Sequence, residues 1–224
     1  MKCGLLILKR AELPIETAVS KFGGSPGWVE EPAWPRSRST GEPMLFIGQI
    51  VVDPLLFPIA PGRIAYIFIT RENDGSIETW APDAGESAVV IQQASSERKF
   101  ALSEGPRLAE TYWEGGTRRE RPLELAASFD YQDESENPSY DEVVRFWERD
   151  RQIEHVLRWA QKVGGTPEWI QADEAPEGWR LLAQFGDGFW LDGRCIETNL
   201  NFGAGRCYVL ISPDCAQGKL IWQC

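Results

Sequence analysis

Histidine is nearly missing from this sequence: among its 224 residues His155 stands alone. It falls two positions from both Ile153 and Leu157, on the side of the expected helix away from their stripe, and so is expected to face solvent. That argues against a Ser-His-Asp or Cys-His nucleophile, whose base would have to be this one exposed ring, and no catalytic residue is assigned. Long apolar runs are missing too, because no stretch approaches the ~18 to 20 residues of a membrane span. The run Leu5-Leu6-Ile7-Leu8, closed by Lys9-Arg10, is shorter than the ~7 to 15 residues of a secretory core. It reads as a buried strand. The five cysteines, Cys3, Cys195, Cys207, Cys215 and Cys224, include no Cys-x-x-Cys pair, which argues against a zinc knuckle. Their odd number suits a reducing compartment, and the cytoplasm is expected. Neither a P-loop nor a dinucleotide fingerprint occurs, so no phosphate cradle, cofactor or metal is expected. Positive charge is scarce: 23 Lys and Arg against 34 Asp and Glu leave a net charge of −11. Nucleic acid and anionic membrane are therefore disfavoured, and a basic protein partner is expected.

Large side chains are plentiful. Hydrophobic residues make up 42% and there are ten tryptophans, enough to build a core in one large domain or two small halves. Self-similarity organises the chain. Residues 20–29 and 161–170 share Lys-x-Gly-Gly-[Ser/Thr]-Pro-x-Trp-[Val/Ile]. Each copy continues into an apolar run holding a glutamine, Gln49 or Gln184, and then into a Gly-Arg start, Gly62-Arg63 or Gly205-Arg206, of a β-branched and aromatic run. A duplicated unit is inferred, with a first half over residues 1–137, carrying inserted hairpins and loops, and a second over 138–224, together forming one compact globular unit.

The expected fold class is α+β, mostly β with one long helix. That helix spans about residues 139–163, where Val143, Phe146, Ile153, Leu157 and Ala160 share one face and Gly164-Gly165 ends it. A shorter version covers residues 14–22, opening at Pro14 and stopping at Gly23-Gly24. Each unit then reads as helix, Gly-Gly-x-Pro-x-Trp loop and antiparallel strands. Further strands are expected over 88–92, 123–129 and 219–222, with hairpins and loops over 70–121. The basic run Arg118-Arg119-Glu120-Arg121 reads as a solvated loop, and residues 130–142, rich in acid, as a linker entering the long helix.

The motifs Lys21-Phe22-Gly23-Gly24-Ser25-Pro26, Glu31-Pro32-Ala33-Trp34-Pro35, Gly41 to Ile50 and Pro61 to Phe68, with the stretch from Phe202 to Cys224, resemble the YwqG-like family over nearly the whole chain. Residues 71–137 match it poorly, and Ala204 stands where that family often has an acid. The resemblance implies an α+β fold without agreed catalytic residues. The Gly-Gly-x-Pro-x-Trp element also resembles the programmed-cell-death-2 proteins, chaperones of a basic ribosomal protein, although their cysteine-rich zinc module is missing here. The resemblance to the YwqG-like family further implies a place among antitoxin or immunity proteins of bacterial toxin systems.

The expectation is a non-enzymatic acidic module that sequesters a basic protein, as a toxin-neutralising immunity protein or as a chaperone of a ribosomal-type client. Acidic steering and aromatic locking place the contact on Glu30, Glu31, Trp34, Asp133, Glu134 and Glu136. An enzyme or small-ligand binder would instead use a cleft between the halves, faced by Trp28 and Trp169.

Overall fold

In a computed structural model the described residues are 1–71, 75–94, 103–134, 161–192 and 194–224. Ten strands close into a barrel: β1 (Lys2–Arg10), β2 (Lys21–Gly23), β3 (Leu45–Val51), β4 (Arg63–Ile69), β5 (Ser87–Gln93), β8 (Glu124–Asp133), β9 (Lys162–Gly164), β10 (Arg180–Gly186), β13 (Arg206–Ile211) and β14 (Gly218–Gln223). Their order around it is β1-β8-β2-β3-β4-β5-β14-β13-β10-β9. Two hairpins stand outside the barrel sheet, β6 (Ala109–Glu114) with β7 (Thr117–Pro122), and β11 (Gly188–Leu191) with β12 (Arg194–Glu197).

The strands β3, β4, β10 and β13 form because their side chains are buried on both sides. In β4, Ala65, Ile67 and Ile69 join the interior cluster, while Ile64, Tyr66 and Phe68 belong to a separate cluster under Trp28 and Trp34. In β13, Cys207, Val209 and Ile211 point inward, and Tyr208 and Leu210 pack under Trp169. Burial on both faces turns alternation into continuous apolar runs. Phe22 meets Phe189 of β11 at 4.7 Å and Phe185 at 5.3 Å between ring centroids, so the β11–β12 hairpin plugs one mouth. Phe57, in the loop between β3 and β4, enters the same cluster with the Arg180 guanidinium 4.8 Å above its ring. The interior is a filled core rather than a lumen.

This architecture corrects the α+β expectation: the fold is nearly all β, with no helix among the described residues. Residues 14–20 are irregular and Lys21–Gly23 form β2, wedged between β3 and β8. Gln161 is a bend and Lys162–Gly164 form β9, while residues 139–160 of the expected long helix, with His155, lie outside the described residues. The Gly-Gly pairs end strands. Gly23 has φ 70°, and a Cβ on it would sit 2.0 Å from the Leu123 carbonyl oxygen. A paired strand at close quarters, not a helix C-terminus, is what demands glycine there. Residues 130–133, read as linker, continue β8.

Candidate functional site

The two loops that follow β2 and β9 are held by the same set of contacts. Gln49 Oε1 accepts the Gly27 N–H at 2.7 Å, and Gln184 Oε1 accepts that of Glu168 at 2.9 Å. The Tyr66 hydroxyl donates to the Gly27 carbonyl at 2.8 Å, and Tyr208 to that of Glu168 at 2.7 Å. Gln92 and Gln223 each accept a loop N–H, from Glu30 and Gln171, at 3.0 Å. Trp28 lies 4.4 Å from Tyr66 and Trp169 4.3 Å from Tyr208. Each tryptophan thus packs on the outer face of its own half, in separate clusters.

Beneath each loop lies a buried lysine. Lys21 Nζ donates to Glu124 at 2.7 Å and to the Ile15 carbonyl at 2.6 Å. Burial lowers its pKa, against the opposing pull of Glu124. Lys162 sits 3.2 Å from Glu168 and 3.6 Å from Glu134.

The expected contact residues are distributed over different elements. Glu30 and Glu31 are exposed on the first loop. Trp34, beside them, is half-buried: it donates to the Met44 carbonyl at 2.8 Å and packs 5.4 Å from Phe68. Asp133 is exposed at the end of β8. Glu134 is engaged internally, accepting from Thr166 through its N–H and hydroxyl and pairing with Lys162. Glu136 lies outside the described residues.

Sequence reasoning missed the most exposed aromatic surface among the described residues. The run Arg118-Arg119-Glu120-Arg121 is half of a two-stranded arm, β6–β7, turned by Gly115-Gly116. Trp113 on it is 69% exposed and Tyr112 is 37% exposed. The arm is rooted on Glu110, a buried carboxylate that takes Arg121 at 2.6 Å and Arg10 at 2.5 Å, with Arg194 at 3.7 Å. The hydrogen bond from Arg121, joined by that from Arg10, outweighs burial and holds this carboxyl below its ordinary range. Arg121 also lies 5.5 Å over the Tyr112 ring. Only the Gly-Gly turn pair signalled a hairpin here, since β7, exposed along its whole length, carries no apolar alternation.

Two clefts flank the arm. The larger, about 950 Å³, runs between residues 10–16, residues 104–109 and the end of β7. The smaller, about 470 Å³, is lined by Arg71, Arg118, Asp187, Cys195, Thr198 and Asn199, and Glu120 borders both. Asp187 accepts the N–H groups of Phe202 at 2.6 Å and Ala204 at 2.9 Å. Burial outweighs these bonds and pushes its carboxyl up. Cys195, Cys207, Cys215 and Cys224 are free thiols. Among the described residues no group of three or more His, Cys, Asp or Glu converges as metal ligands, and no helix is long and apolar enough to cross a membrane.

Residues 20–218 match the family described as a domain of unknown function, DUF1963. No curated protein matches the chain.

Proposed function

The chain belongs to the DUF1963 family, and from that premise we propose that it is a non-enzymatic protein-binding module that sequesters a basic protein, as an immunity protein neutralising a toxin. The observation that carries this reading is the β6–β7 arm, which holds Trp113 and Tyr112 out from a filled barrel beside Arg118 and Arg119. Tryptophan, tyrosine and arginine are the residue types that dominate binding energy at protein interfaces. The net charge of −11 steers a basic partner toward the molecule, and the arm rings lock it. Glu30, Glu31 and Asp133 supply exposed carboxylates to the encounter. Within the family we read the chain as YwqG-like, built from two copies of one unit over residues 1–137 and 138–224. We place it in the cytoplasm, in keeping with its free thiols.

Capture of the tagged protein from its native cell extract, at low and moderate salt, tests the reading. One basic protein is expected to be retained stoichiometrically, to weaken as salt rises and to be lost with Trp113→Ala, a truncation of the kind that costs at least about 2 kcal/mol at a hot spot. Its identity, toxin domain or ribosomal-type client, separates immunity from chaperoning. Retention unaffected by Trp113→Ala would overturn the arm as the docking element.

A second reading, a small-ligand site, is favoured by Asp187, whose raised carboxyl lines the smaller cleft with Arg118 and Thr198. A metabolite that raises the melting temperature of the protein but not of Asp187→Asn would move the weight there.

A further inference from the structure

The open edge of β7 is the feature that the contacts described so far do not consume. Asn199 takes both backbone groups of Ala109, accepting its N–H at 2.9 Å through Oδ1 and donating its own N–H to the Ala109 carbonyl at 3.0 Å. Ala109 and its partner Pro122 therefore face each other without ladder bonds. In an antiparallel pair bonded and non-bonded positions alternate, so the bonded pairs of the arm are Glu110–Arg121, Tyr112–Arg119 and Glu114–Thr117. The backbone N–H and C=O groups of Arg118 and Glu120 are left pointing away from β6. No strand pairs with that edge among the described residues, and Pro122, at the next outward position, has no N–H to offer.

The edge opens onto the larger cleft through Glu120 and Pro122. Most charges there are already engaged: Arg10 and Arg121 by Glu110, Glu124 by Lys21, and Glu120 by Arg71. Arg118 and Arg119 of β7 stand outside the lining of this cleft; among the described residues that line it the remaining ones are Glu12, Glu16 and Glu104 against Arg107, so its free charge is negative. Beside them Leu13 is 79% exposed.

Resting on the protein-binding reading above, we infer that the partner enters this cleft as an extended, lysine- or arginine-bearing segment that adds a strand to β7 at Arg118 and Glu120. Main-chain hydrogen bonds to a free edge give affinity to such an addition, and alternate side chains give it specificity. Here one face of the segment meets Leu13, and its cationic side chains meet Glu12, Glu16 and Glu104.

The probe is a fluorescein-labelled heptapeptide of alternating lysine and valine, titrated against the full chain by fluorescence anisotropy. Binding is expected to weaken about tenfold between ~0.05 M and ~0.5 M salt. The same peptide with alternate amides N-methylated, unable to extend a ladder, is expected to bind about tenfold more weakly. Glu120→Pro, which removes the outward N–H and spares the bonds to β6, should bind about tenfold more weakly than Glu120→Ala, which loses the same side chain but keeps that N–H. The N-methylated peptide reports on the unaltered protein, whatever the proline variant does to folding. No binding of the lysine–valine peptide overturns the inference, as does equal binding of its N-methylated form or of a glutamate–valine counterpart. If a basic partner is captured through Trp113 while the N-methylated peptide binds undiminished, strand addition falls and the protein-binding reading stands. If the peptide binds in the backbone-dependent way but no partner is retained, the edge stands and that reading falls.

Discussion

Glu86 shows how much of this molecule is decided by single polar groups. It is 2% exposed, and its carboxylate accepts the Ser37 and Ser39 hydroxyls at 2.6 Å, the Ser39 N–H at 2.8 Å and the Thr70 hydroxyl at 2.7 Å. Burial pushes its pKa up, but the hydrogen bonds from Ser37, Ser39 and Thr70 win and hold it below the ordinary glutamate range. Because the folded pKa lies below the unfolded one, the carboxylate stabilises the fold above the unfolded value of about 4.3, and that contribution is lost as pH falls through the depressed value. Glu86→Gln is expected to cost about 1.5 to 3 kcal/mol at neutral pH, the worth of hydrogen bonds to a buried charge. By urea unfolding, the gap between the two proteins should close progressively below about pH 4. A gap that persists unchanged at low pH would mean that the ionised form is not what the serines and threonine hold. Nothing in the letters around Glu86 announced it, since its partners stand far away in the sequence and only folding gathers them.

At the scale of elements, the glutamines of β3 and β10 do the work that the expected helices were to do. Gln49 is buried; it accepts the Gly27 N–H and donates to the Val19 carbonyl at 2.7 Å, tying both flanks of β2 to β3. Replacing it with leucine leaves two backbone groups unpaired at about 1 to 3 kcal/mol each, while the neighbouring barrel pairs are untouched. Hydrogen exchange of Gln49→Leu should therefore accelerate in residues 24–31 and not in β4, and Gln184→Leu should do the same at residues 167–172. Uniform acceleration across the barrel would show that the loops and the barrel open as one unit. These glutamines were legible, because each interrupts an apolar run at a similar place in two matching segments of the sequence, and the runs themselves fall within β3, β10, β4 and β13. The element before each Gly-Gly was not. Proline before and glycine after mark a boundary of either kind, and Ile15, Ala18, Val19 and Phe22 fall at the spacing of one helical face, although Val19 is exposed and Phe22 lies in β2. The arm was illegible for the opposite reason, since β7, bathed by solvent on both faces, has no pattern to read.

For the whole molecule, barrel closure decides whether either half has a life of its own. The strands β1 to β5 and β8 come from residues 2–133, and β9, β10, β13 and β14 from residues 162–223. The two groups join at two seams, β1 with β9 over Cys3 to Leu5 and β5 with β14 at Val89 and Gly218. One interior cluster spans them, with Phe22, Ile47 and Ile67 packed together with Phe185, Phe189 and Val209. A chain ending at residue 137 loses the second wall of that core and opens β1 and β5 as bare edges, a template for aggregation rather than a smaller barrel. Residues 1–137 alone are therefore expected to show no cooperative thermal transition and to self-associate, while the full chain melts in a single step. Mixing the fragments 1–137 and 138–224 should restore a transition, since every strand of the barrel is then present and the seams require no covalent link. A cooperative melt from residues 1–137 by themselves would mean that the first wall closes on its own plug, and that the shared core is a contact between two folded bodies.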